Sequence, residues 1–206
     1  MLNFKPSPRQ MGLLKGGLFI VALLPLARLV LLGFLDKLSA NPIEFITRSS
    51  GDWTLYLLGL TLAVSPLRQL TGWSWLISLR RMLGLFTFFY ASLHFTTFIW
   101  FDHFFDLDAM WKDVLKRPFI TVGFAAFVLL FSLAVTSTNK MMKRLGGRWK
   151  MLHRLIYLIA VLALLHFWWM RSGKQNFAEP IVIGSIFALL LASRVLFWWR
   201  ARAAEQ

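Results

Sequence analysis

The sequence predicts an all-α fold: a polytopic membrane protein, arranged as a six-helix transmembrane bundle with an N-in/C-in topology. Three observations carry this reading. Of the 206 residues 58% are hydrophobic, with 20 Phe and 10 Trp, more apolar surface than a soluble domain of this size hides. Several apolar runs reach the roughly 20 residues a helix needs to cross a bilayer. The formal net charge of +14 sits in short links between those runs. That is the pattern of topology signals and anionic-lipid contact, and it argues against a nucleic-acid-binding face.

Taken in order, the expected spans lie at about 16–35, 53–71, 82–101, 118–139, 151–170 and 180–199. The first follows Lys15 and contains Arg28. It is long for the apolar core of a signal peptide and reads as a retained span. Between the second and third spans, Trp73 and Trp75 suit the membrane interface, where Trp is favoured. The short links imply one bundle over residues 1–206, with no internal repeat evident.

Orientation follows from the basic residues. Thirteen Lys and Arg fall on the side shared by both tails and by the links after the second and fourth spans. Seven fall opposite: Lys37, Arg48, Lys112, Lys116, Arg117, Arg171 and Lys174. The richer side is read as cytoplasmic. Eight of the nine acidic residues lie on the outer side, four of them in Asp102–Asp113. That loop is a candidate contact for a partner.

The stretch Gly146–Met170 organises the rest, because it joins a basic cluster to an apolar run carrying His153 and His166. Ionisable groups inside a span are costly and mark functional sites by default. His94 lies in another span. His94 follows Arg81 by 13 residues and His166 follows Lys150 by 16, placing them at depths of about 19.5 and 24 Å. The difference is less than one helical turn, so a haem held between the two helices in the outer half of the membrane is the expectation. Gly84 and Ala91 are read as residues that let a flat cofactor approach, with Tyr90, Phe98, Phe101 and Trp169 as walls.

His153 has no histidine at its level on the third span. In a straight helix it also stands about 140° from the face of His166. It is the weaker ligand candidate. Arg80, Arg81, Arg148 and Arg154 suit a propionate or phosphate. His103 reads as a solvated loop residue, and Arg28 and Arg194 as snorkelling or paired side chains. The chain has no cysteine, which excludes disulfides, iron–sulfur clusters, thiolate-ligated haem and covalent haem attachment through cysteine.

Several segments share a resemblance. They are Ser50-Gly-Asp-Trp-Thr-Leu, Leu62-Ala-Val-Ser-Pro-Leu-Arg68, Arg80-Arg-Met-Leu-Gly-Leu85, Tyr90-Ala-Ser-Leu-His94, Arg117-Pro-Phe-Ile-Thr-Val-Gly123, Leu133-Ala-Val-Thr-Ser-Thr138 and Leu145-Gly-Gly-Arg-Trp-Lys-Met-Leu-His-Arg-Leu-Ile-Tyr157. In order and spacing they resemble the haem-binding membrane subunits of bacterial periplasmic protein-methionine-sulfoxide reductase systems, the MsrQ family. That family belongs with the ferric-reductase-like transmembrane proteins.

The resemblance implies a b-type haem, one or two in number, and an FMN. It implies an electron-transfer subunit in the bacterial inner membrane, fed by the quinone pool or a cytosolic flavin reductase. The acceptor it implies is a periplasmic molybdopterin-containing subunit that reduces methionine sulfoxide in oxidised proteins. The family histidines fall on His94, His153 and His166. The alternatives are a stand-alone transmembrane ferric or quinone reductase and, further off, a cofactor-free transporter or assembly factor.

Overall fold

The computed structural model describes residues 5–173 and 177–203. Lys174, counted above among the outer cations, lies outside the described residues. Among the described residues the chain is helical, without a strand. In order come α1 (Pro8–Phe34), α2 (Pro42–Thr71), a 3₁₀ turn (Ser74–Leu76), α3 (Ile77–Thr97), a π turn (Phe98–Asp102), α4 (Leu107–Lys116), α5 (Pro118–Val135), α6 (Asn139–Leu145), α7 (Gly147–Leu152), a 3₁₀ turn (His153–Leu155), α8 (Ile156–Ser172) and α9 (Ala178–Ala203).

Five stretches are long and apolar enough to cross a membrane: Pro8–Phe34, Ser74–Asp102, Pro118–Val135, Gly147–Ser172 and Ala178–Phe197. The protein is a multi-pass membrane protein. The 30-residue α2 is not among these five, because Glu44, Arg48, Asp52 and Arg68 leave it a shorter apolar middle.

Local chemistry sets the helix starts. Ser7 and Gln10 form a reciprocal capping box ahead of Pro8. The Asn41 side chain accepts the Glu44 N–H ahead of Pro42. Both pairings satisfy N-terminal donors that a helix cannot satisfy internally.

The chain divides into two compact units, Met1–Phe104 and Phe105–Gln206. In the first, α2 and α3 form an antiparallel pair with α1 against α3. Its core gathers Ala22, Leu57, Val64, Leu83, Phe86 and Tyr90. Tyr90 is 0% exposed. Its hydroxyl donates to the Ala22 carbonyl at 2.7 Å and accepts the Leu26 N–H at 3.2 Å. Those two groups are i/i+4 partners in a regular helix, so the hydroxyl bridges consecutive turns of α1 beside Pro25, where the missing proline N–H weakens the ladder.

In the second unit α5 pairs with α8, α4 packs on α5, and α9 packs on α8. Val114, Ala126, Leu130, Leu133, Ile159, Ala160, Phe167 and Phe187 are buried. The Thr121 hydroxyl donates to the Val114 carbonyl, tying α4 to α5. Arg171 is buried and meets Glu179 at 2.6 Å, bridging α8 and α9.

Besides α2, the elements depart from expectation in three places. The fourth span ends at Val135, because Thr136 and Ser137 hydroxyls bond back into α5 while Thr138 caps α6. The fifth begins with the short α7 and a 3₁₀ turn, and is separated from α6 at Gly146 with φ 51°, a backbone conformation that glycine adopts without steric cost. The acidic stretch expected to be a loop contains α4, whose Asp106 side chain accepts the Ala109 N–H.

Candidate functional site

In each unit, one histidine of a stretch long and apolar enough to cross a membrane has a similar setting. In the first, His94 lies near the C-terminal end of α3, opposite the start of α2. Its Nδ1 donates to the Thr47 carbonyl at 2.9 Å. In the second, His166 lies in the C-terminal half of α8, opposite the start of α5. Its Nδ1 donates to the Phe119 carbonyl at 2.7 Å. Both rings are half-buried.

The close packing falls on residues that local pattern did not single out. A Cβ built on Gly51 would stand 3.2 Å from His94 Cε1 and Nδ1. A Cβ built on Gly123 would stand 2.6 Å from His166 Nδ1 and 2.9 Å from its Cε1. Each imidazole thus lies against a glycine of the partner helix. Gly84, expected to admit a flat cofactor, instead faces Thr61 of α2, where a Cβ would make ordinary contact at 3.8 Å. Tyr90, expected as a wall, spends its hydroxyl on α1.

This chemistry suits axial ligation. A neutral imidazole that donates from Nδ1 carries its lone pair on Nε2, and a carbonyl on the other nitrogen is the usual means of fixing a ligating ring. Among the described residues there is no group of three or more His, Asp or Glu side chains placed to hold a metal ion. A porphyrin supplies four nitrogens of its own, so single histidines match the needs of haem iron better than those of a bare ion.

His153 is held differently. It begins the 3₁₀ turn between α7 and α8. Its Nδ1 lies 3.1 Å from the Trp149 carbonyl of its own segment, and its Nε2 lies 3.4 Å from the Ser137 hydroxyl. Trp149 stacks on the ring at 4.0 Å and donates its indole N–H to the Thr136 carbonyl at 2.9 Å. Three residues wound at 3₁₀ pitch add about 60°, which reduces the straight-helix offset from His166 to about 80°.

Of the four arginines, Arg80 belongs to the first unit and reaches Ser65 at 3.4 Å. Arg81 is exposed in the same unit, and Arg148 and Arg154 are exposed in the second. His103 is half-buried rather than fully solvated, edge-on to Phe98 at 4.5 Å. Arg194 is paired, as expected, with the Tyr157 hydroxyl.

Comparison with known proteins agrees with this chemistry. The family described as ferric reductase like transmembrane component matches residues 50–164. A protein of Herminiimonas arsenicoxydans is 64% identical over 204 residues, covering 98% of this chain and 94% of its own. A protein of Bordetella parapertussis is 56% identical over 200 residues, covering 97% of each. One of Ralstonia nicotianae is 54% identical over 207 residues, covering 100% of this chain and 94% of its own. All three bear the name protein-methionine-sulfoxide reductase heme-binding subunit MsrQ. No solved structure matches. The chain therefore belongs to the ferric-reductase-like transmembrane family and, with these relatives, to the MsrQ family.

Proposed function

We propose that this chain is a six-span, N-in/C-in b-type cytochrome subunit of the bacterial inner membrane. It passes electrons from the quinone pool or a cytosolic flavin reductase to a periplasmic molybdopterin-containing protein-methionine-sulfoxide reductase, and so supports repair of oxidised periplasmic proteins. The observation that carries the reading is the shared state of His94 and His166. Each donates from Nδ1 to a helix carbonyl, at 2.9 and 2.7 Å, which leaves the lone pair on Nε2 for iron.

A bound b haem supplies one-electron exchange between ferric and ferrous iron. The residues would do the following. His94 and His166 would each offer Nε2 to haem iron, and iron so held by imidazoles would suit electron transfer rather than oxygen chemistry. The carbonyls of Thr47 and Phe119 fix the ring tautomers. Arg80, Arg81, Arg148 and Arg154 offer charge to propionates or to a phosphate. His153 is the third candidate ligand, and the Ser137 hydroxyl must leave its Nε2 before iron can take it. The FMN that the family resemblance implies is assigned no residues.

Purified protein expressed with haem supplied should give a reduced-minus-oxidised spectrum of b type. A colourless, folded preparation would overturn the reading. Reduction of the periplasmic partner, faster than reduction of chelated iron, separates the dedicated subunit from a stand-alone ferric reductase.

A further inference from the structure

We infer that Gly51 and Gly123 are positioning residues: they let His94 and His166 lie flat against the partner helix, so that the Thr47 and Phe119 carbonyls can set the tautomer and tilt of each ring. The inference rests on the ligand reading above and goes beyond it, because it assigns a role to residues that are not ligands.

The reason is geometric. A helix carbonyl at position i points along the axis toward residue i+4. A side chain from a neighbouring helix that reaches that carbonyl must therefore lie over residue i+4. Here the carbonyls belong to Thr47 and Phe119, and four residues on stand Gly51 and Gly123. Both would-be Cβ atoms come closest to the histidine rings themselves. In each unit the histidine follows its carbonyl by 47 residues and its glycine by 43. The two arrangements are thus offset by 72 positions along the chain.

The two copies differ in tightness. The Cβ approach is 2.6 Å at Gly123 and 3.2 Å at Gly51. The hydrogen bond is 2.7 Å in the second unit and 2.9 Å in the first. The Thr47 carbonyl also accepts the Ser50 hydroxyl at 2.9 Å. Alanine at 123 must displace the ring, and alanine at 51 needs a shift of only a few tenths of an ångström.

The chemical consequence has a sign. Donation from Nδ1 makes the imidazole a stronger donor to iron, which favours the ferric state. Moving the ring off its carbonyl weakens that bond, so the haem midpoint potential should rise. A glycine needed only for helix packing would lower stability and leave the potential where it was.

The test uses full-length, haem-loaded protein in detergent with Gly123→Ala, Gly51→Ala and, as a control, Gly17→Ala, whose Cβ meets nothing within 4 Å. Potentiometry, low-spin ferric EPR and haem affinity are read. Gly123→Ala should raise the midpoint, change the EPR g values and weaken haem binding by about 10- to 100-fold. Gly51→Ala should move all three the same way by less, and Gly17→Ala should move none.

The inference is overturned if Gly51→Ala or a folded Gly123→Ala keeps the wild-type potential and g values while His94→Ala and His166→Ala lose haem. Should Gly123→Ala fail to fold, Gly51→Ala decides the matter alone. If His94→Ala and His166→Ala both retain wild-type haem content, the ligand reading fails instead, and the two failures are told apart.

Discussion

His94 and His166 are held by the same three parts: a ring on one helix, a carbonyl near the start of its antiparallel partner, and a glycine four residues beyond that carbonyl. What surrounds them differs. The first unit is braced by aromatic side chains, with Tyr90 buried and bonded into the backbone of α1. The second is braced by polar turns, with Trp149, Thr136, Ser137 and His153 closing the break between α5 and α8. Where surroundings diverge and a three-part geometry persists, the geometry is the feature to explain. The proposed ligand role gives both histidines a reason to meet a carbonyl and a glycine.

The comparison breaks first at the histidines. His94→Ala and His166→Ala should each lower haem content at least tenfold, and to a similar degree, by pyridine haemochrome assay against protein concentration. A loss confined to one of them would make the units unequal in function despite their likeness in form. Next comes the brace of the first unit. Tyr90→Phe removes the hydrogen bonds to the Ala22 carbonyl and the Leu26 N–H at a fully buried site, and should cost about 1–3 kcal/mol in a detergent unfolding titration. The corresponding change in the second unit, Trp149→Phe, removes one half-buried hydrogen bond and should cost about 1 kcal/mol. The smallest effect expected on haem is that of His153→Ala, which should retain the bis-histidine spectrum with a modest loss of content. A loss equal to that of His166→Ala would promote His153 to a ligand.

Much of this was legible in the chain itself. Apolar runs placed the helices later seen as α1, α3, α5, α8 and α9, since length and hydropathy suffice where the solvent is lipid. Depth arithmetic singled out His94 and His166 from four histidines. The break at residues 136–155 was not read, because it depends on Thr136, Ser137 and Thr138 hydroxyls competing with backbone bonds, a local contest that apolar periodicity does not register. α4 was hidden by its charge, which reads as loop when Asp102–Asp113 is taken as a block.

The glycines were missed for a different reason. Gly84 was favoured because it shares a helix with His94, whereas Gly51 stands 43 residues away and meets the ring only through tertiary pairing. The spacing of 43 recurring between Gly123 and His166 was the available signal. It becomes readable only once the carbonyl-plus-four rule supplies a reason to look for it.

The central proposal is that His94 and His166 ligate iron through Nε2 while Nδ1–H is held by a helix carbonyl. Pulsed EPR of the oxidised, haem-loaded protein, with histidine labelled by ¹⁵N separately at Nδ1 and at Nε2, tests it most directly. The account requires strong iron coupling from two Nε2 atoms, and an exchangeable proton on each ligand's Nδ1. Coupling through Nδ1, or from a single histidine, would contradict it.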